Sequence, residues 1–175
     1  MSIAVVSYSL TGNNERLASA VAEALSAEHI RIAEPKARKM GAIILDMIFH
    51  RTPEVQPSPA VLEKYDSILL LGPVWMGQAA SPLRAYLKHL KAAPQPFAFA
   101  SVSGGALHAN PKLMEDLEKR AGAKPMALVD LHIADLLPSD HKLTMKETSA
   151  YRLSSTEIAK LAEVIFDSVK GVLYR

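Results

Sequence analysis

Hydrophobic and polar positions along the chain alternate between two rhythms. At 3–8 an apolar stretch runs through Ile3, Ala4, Val5 and Val6, which reads as a short strand buried on both faces. From Asn13 the spacing becomes four: Leu17, Val21 and Leu25, with Ala18 and Ala22 beside them, form the apolar stripe of a helix. The segment 29–33 suits a second strand. Ser67 opens the strongest strand signal, Ile-Leu-Leu-Leu, closed by Gly72 and Pro73. Pro82 fits the first turn of a helix that carries Leu83, Tyr86, Leu87 and Leu90. A fourth strand is predicted at 97–102. Pro111 then opens a helix with Leu113, Met114 and Leu117 that stops at Gly122. A fifth strand follows at 126–131. The last helix, capped by Ser155 or Thr156, buries Ile158, Leu161, Ala162, Ile165 and Val169.

Strands alternating with helices predict a three-layer α/β domain: a doubly wound, five-stranded parallel sheet with helices on both faces and right-handed crossovers. No repeat or linker divides the 175 residues, so they read as one domain. Two stretches break the rhythm. One, 35–59, holds a basic turn (Lys36, Arg38, Lys39), an apolar segment at 43–49 and an exit through Pro53, Pro57 and Pro59. Ile44, Met47 and Ile48 share one helical face there, as do Leu45 and Phe49, so the segment is expected to pack over the sheet edge. The other, 132–153, has no clear periodicity.

Composition removes several chemistries. The chain has no cysteine, which excludes disulfides, thiolate metal sites, iron–sulfur clusters and a cysteine nucleophile. Its six histidines show no H-E-x-x-H spacing, and no metal site is expected. Ser103 lies in no G-x-S-x-G elbow. A net charge of +2 is too mild for a nucleic-acid footprint. No apolar run approaches the ~20 residues a membrane span requires, and the N-terminus lacks the basic start and cleavage site of a signal peptide. A cytoplasmic protein without nucleic-acid binding or a membrane span is expected. Glu115, Asp116, Glu118, Lys119 and Arg120 read as the wet face of a helix. Asp130, His132 and Asp135 read as loop or surface residues.

Chemistry concentrates where strands end. After the first strand come Ser9, Leu10, Thr11, Gly12, Asn13 and Asn14, and then a helix. A helix N-terminus offers free N–H groups and partial positive charge, so it stabilises a phosphate without a lysine. Ser9 and Thr11 can add hydroxyl donors and Asn13 or Asn14 amide donors, while Gly12 allows close backbone approach. The G-x-x-x-x-G-K-S/T and G-x-G-x-x-G patterns are absent from this turn. The third strand ends in Gly72-Pro73-Val74-Trp75-Met76-Gly77, with the sole tryptophan at its tip, and such a plane can stack on a flat heterocycle. The fourth ends in Ser101-Val102-Ser103-Gly104-Gly105, with His108 just beyond.

These motifs, in this order, resemble those of the flavodoxin family. Tyr8-Ser9-Leu10-Thr11-Gly12-Asn13 is similar to its S/T-x-T-G-N/Q phosphate loop, with Asn14 standing where a hydroxyl residue is usual. Gly72 to Gly77 is similar to G-P-V/I-W-x-G, with Pro82 opening the next helix. The Ser101 to Ala106 run is similar to the third flavin loop. The resemblance implies strand order 2-1-3-4-5 and one FMN. Its phosphate would lie on Ser9, Leu10, Thr11, Gly12, Asn13 and Asn14. Its ring would lie between Pro73, Val74, Trp75, Met76 and Gly77 on one side and Ser103, Gly104, Gly105 and His108 on the other.

Three functions follow as expectations. The first is electron transfer with a redox partner protein. The second is an NAD(P)H-dependent FMN or quinone reductase with a small acceptor, in which Lys36, Arg38, Lys39 or Arg51 attracts the nucleotide phosphate. The third is a flavin-binding interaction module that docks through 35–59. The sequence names neither donor, acceptor nor oligomeric state.

Overall fold

The computed structural model describes residues 1–35, 45–104, 110–137 and 143–174. In chain order it contains β1 (Ile3–Ser7), α1 (Asn13–Ala24), β2 (Glu28–Arg31), a 3-10 helix (Pro59–Lys64), β3 (Ser67–Leu71), β4 (Val74–Trp75), β5 (Gln78–Ala79), α2 (Leu83–Ala92), β6 (Phe97–Ser103), α3 (Leu113–Ala121), β7 (Leu128–His132), a 3-10 turn (Ile133–Leu136), α4 (Met145–Ala150) and α5 (Ser155–Leu173). Five strands form one parallel sheet in the order β2-β1-β3-β6-β7. The short β4 and β5 pair only with each other, antiparallel. Counting the sheet strands alone, the order is the expected 2-1-3-4-5.

The unbroken apolar strands serve two cores. In β1, Ala4 and Val6 face one core with Ile68, Leu70, Leu83, Leu87, Phe99 and Leu117. Ile3 and Val5 face the other, with Leu17, Val21, Leu69, Leu71, Leu161 and Ile165. Alternate side chains of a strand point to opposite faces. Helices α2 and α3 cover one face, α1 and α5 the other. Burying each leucine contributes about 1.5–3 kcal/mol, so these apolar stripes fix which helix goes where. The chain moves from β1 outward to β2, then returns to β3 on the far side of β1. In open α/β sheets the crevice at that reversal, beyond the strands' carboxyl ends, is the usual ligand position.

Three expectations need correction. The cap of α5 is Ser154, not Ser155 or Thr156. Its Oγ accepts the Glu157 N–H at 3.2 Å, and the Glu157 carboxylate accepts the Ser154 N–H at 2.7 Å. This capping box selects the serine three residues before the glutamate. Thr144 and Glu147 form a second box and start α4 inside a stretch without periodicity. Third, the described part of the apolar segment buries only one residue of the expected apolar face, Met47. This part is a helical turn at 45–48 that buries Asp46 and Met47 and leaves Leu45, Ile48 and Phe49 exposed. Arg84 is the reason. It donates to the carbonyls of Asp46 (2.8 Å) and Arg51 (3.1 Å) and contacts Met47 Sδ (3.1 Å), which rolls the turn toward α2. Ile44, Lys36, Arg38 and Lys39 lie outside the described residues. Among the described residues, no helix is long and apolar enough to cross a membrane.

Candidate functional site

The turn after β1 is shaped by Gly12. Its φ of +90° is left-handed, a region that favours glycine, and it stands as N-cap of α1 with no side chain capping the helix. The Gly12 N–H bonds Ser9 Oγ at 2.9 Å, which closes the turn on itself. A Cβ built on Gly12 would meet nothing within 4 Å. The backbone angle therefore demands the glycine, and no described residue fills the space above it. Among the described residues no side chain bonds the first-turn N–H groups of α1, which leaves them available to an anion. Thr11 is half-buried at the rim, and Leu10 is exposed.

Asn13 and Asn14 have a different task from the one expected of their side chains. Both are buried. Asn14 Nδ2 donates to the Val102 carbonyl at 2.9 Å, and its Oδ1 accepts the Val102 N–H at 3.0 Å. Asn13 Nδ2 donates to the Tyr151 carbonyl at 2.9 Å, and its Oδ1 accepts the Leu153 N–H at 3.1 Å. Each amide is used on both ends. Only the backbone N–H groups of these two residues remain for a ligand.

Trp75 stands in a tight hairpin rather than an open loop. Val74 pairs with Ala79 and Trp75 with Gln78. Met76 (φ +52°) and Gly77 (φ +75°) occupy the two turn positions, which is the type I′ geometry. Pro73 closes the base by accepting the Ala80 N–H at 3.1 Å. Met76 projects from the tip, 76% exposed. Trp75 is half-buried, and its ring meets Tyr8 edge to face at 5.9 Å between centroids and 86° between planes. The Val74 N–H is held by Ser103 Oγ at 3.1 Å. Val74 and Ser103 thus brace the tips of β3 and β6 against each other, so that N–H is not free for a ring edge.

Gly104 is needed for a close approach. A Cβ there would lie 2.6 Å from the Thr148 carbonyl and 2.9 Å from Ser149 Cα. Helix α4 packs against the side of this glycine where a Cβ would stand, and the residue itself is half-buried. Gly105 and His108 lie outside the described residues.

Sequence reasoning missed the groups that hold these loops. Asp130 reads from the sequence as a loop or surface residue. Instead it accepts from Ser101 Oγ (2.8 Å), the Asn110 N–H (3.0 Å) and Asn110 Nδ2 (2.9 Å), which ties both ends of the third loop to β7. His132 beside it is buried. Asp116 and Arg120 are likewise not simply wet: Asp116 Oδ2 accepts the Ala79 N–H (3.2 Å), its Oδ1 pairs with Arg120 Nε (2.7 Å), and Arg120 also reaches Gln78 (3.0 Å). Together they anchor the hairpin that carries Trp75. Both residues sit at i and i+4 of a charged helix stripe, a pattern that looks the same whether water or a hairpin lies outside it. Among the described residues no cluster suited to a metal ion occurs.

No family model and no curated protein matches the chain. Solved structures do. A flavoprotein from Lactobacillus acidophilus NCFM, solved in complex with FMN, is 22% identical with a TM-score of 0.60, over 74% of this chain and 92% of that one. Flavodoxin 1 from Bacillus cereus is 16% identical with a TM-score of 0.52, over 97% and 98%. A flavodoxin from the domain Archaea is 19% identical with a TM-score of 0.50, over 97% and 99%. The fold is flavodoxin-like. In a flavodoxin-like sheet the braced tips of β1, β3 and β6 stand together at one end, beside the strand-order reversal.

Proposed function

We propose that the chain binds FMN across the tips of β1, β3 and β6 and serves in electron transfer. One observation carries this reading: the uncapped N-terminus of α1, entered through a left-handed Gly12 under a space that no described residue fills, stands beside a strand tip whose tryptophan touches Tyr8 of the same turn. The donor set fits a phosphate monoester, since backbone N–H groups and the Ser9 and Thr11 hydroxyls can all donate to it. The Trp75 plane supplies a flat apolar neighbour for a ring system. The Lactobacillus flavoprotein, with FMN in a chain of this fold, supports the same cofactor. FMN when bound supplies the uptake and release of one or two electrons, and the protein supplies orientation and electrostatics. Here the α1 amides would fix the phosphate, and the hairpin, held by Ser103, Asp116 and Arg120, would fix the ring position.

The test is reconstitution with FMN followed by gel filtration and a visible spectrum. Wild type should retain the flavin near one to one. Gly12→Asp should lose it, because a carboxylate would meet the phosphate. Equal retention by the two proteins would refute the site. For a carrier that works with a redox partner protein, anaerobic NADPH should leave the flavin oxidised. Bleaching within seconds would favour the NAD(P)H-dependent reductase.

A further inference from the structure

A second concave site lies away from the β1–α1 turn. It is an open cleft of about 820 Å³ between α2 and α3, lined also by the hairpin at Met76 and Gly77 and by His50 and Thr52. Its walls carry Arg84, Lys88 and Lys91 from α2, Lys119 and Arg120 from α3, and Lys112 just before α3. Two acids answer these six cations, Glu115 and Asp116. Asp116 is already committed to Arg120 and the Ala79 N–H.

Arg84 makes the imbalance acute. It is 1% exposed, yet its guanidinium donates only to two backbone carbonyls, a thioether and the Gln78 amide oxygen. No carboxylate among the described residues hydrogen-bonds it, and its Nε has no partner. The same Gln78 oxygen receives Arg120 at 3.0 Å, so two like charges converge on one neutral acceptor. Burial, and then Arg120, push the Arg84 pKa down to about 10, with the Asp116 and Asp46 carboxylates acting in the opposite direction. The cations of the cleft outnumber these carboxylates, and an added anion would offset the remainder.

We propose that this cleft is an anion site for a small ligand bearing a diphosphate or two phosphate groups. Lys88 and Lys91 are neighbours on one helical face, and Lys119 stands on the facing wall, so two anionic groups can be met from both sides. Lysine serves phosphates as a mobile point charge. The volume lies within the roughly 300–1,000 Å³ usual for small-ligand clefts, where a protein-docking face would be flatter. The hairpin that lines the cleft is the one that carries Trp75, so occupancy there bears directly on the strand tips. The proposal stands whether or not FMN binds at the β1–α1 turn.

Calorimetric titration of the full chain with inorganic pyrophosphate, with and without excess FMN, tests it. Saturable one-to-one binding is expected under both conditions, with stronger binding at low salt. Lys88→Gln/Lys119→Gln should weaken it at least tenfold, and Lys91→Gln or Lys112→Gln alone several-fold. These side chains are exposed, so circular dichroism should stay unchanged. Gly12→Asp should leave it intact. No saturable binding in wild type would overturn the proposal. So would loss in Gly12→Asp with retention in the lysine variants, which would put pyrophosphate on the β1–α1 turn. Tighter binding of a glutamate-rich peptide through the same lysines would also overturn it, in favour of an acidic protein partner. FMN uptake, read separately from absorbance, distinguishes failure here from failure of the flavin site.

Discussion

Asn14 and Val102 are joined by a closed pair of hydrogen bonds, side-chain amide to backbone, at 2.9 and 3.0 Å. The pair fastens the first turn of α1 to the end of β6, across 88 residues of chain. Asn14→Ala would strand a buried N–H and a buried carbonyl on a central strand. Unsatisfied buried groups cost about 1–3 kcal/mol each, so a loss of about 2–4 kcal/mol is expected in urea unfolding. Asn14→Asp keeps the acceptor but sets a buried carboxylate oxygen against the Val102 carbonyl, and should cost at least as much. A loss below 1 kcal/mol in the alanine variant would show that the pair is not a fastening.

Gly12 separates backbone strain from ligand repulsion. An alanine there meets no described residue but must hold a φ of +90°. The left-handed region costs a non-glycine residue about 1–2 kcal/mol. Gly12→Ala should therefore lower stability by about that amount and weaken FMN binding less than Gly12→Asp does. If the two variants bind alike, the carboxylate does not face the phosphate.

The sole tryptophan gives a direct optical readout. Trp75 sits in the hairpin against Tyr8, so FMN seated at the strand tips should quench its emission stoichiometrically. Trp75→Phe should keep the ring plane and most of the affinity, whereas Trp75→Ala should weaken FMN at least tenfold. Unchanged emission at saturating FMN would place the flavin elsewhere.

Stability should fall in mild acid through His29. Its ring lies 2.8 Å from Ser7 Oγ. Burial, and then Arg31, hold its pKa below the usual 6.5, with Glu15 acting in the opposite direction. The unfolded chain thus binds the proton more readily than the native one. The contribution is complete above about pH 6.5 and is lost as pH falls toward the lower native value. Urea midpoints at pH 7.5 and 5.0 should diverge less in His29→Gln than in wild type. An undiminished difference in the variant would exonerate His29.

Much of the fold was legible because each central strand is apolar on both faces and each covering helix carries a clean stripe. Leu17, Val21, Leu83, Leu87, Leu113 and Ile165 declare their faces without help. The tips were legible as types of residue and not as jobs. Asn13 and Asn14 look like donors to a ligand, yet a buried amide is satisfied by whatever backbone lies nearest, and that backbone belongs to residues far along the chain. Asp116 and Asp130 were unreadable for the same reason. Periodicity says that a carboxylate leaves the core; it does not say whether water or another loop receives it. The helical turn at 45–48 departed from expectation because one buried guanidinium outweighed its apolar face.

The three braces at the strand tips, Tyr8 on Trp75, Val74 on Ser103 and Asn14 on Val102, are made wholly within the chain. For FMN seated as proposed, these joints are already formed, so little of their conformational freedom would remain to freeze. Free and loaded protein should superimpose at these three joints, and slow closure should be absent from the association kinetics.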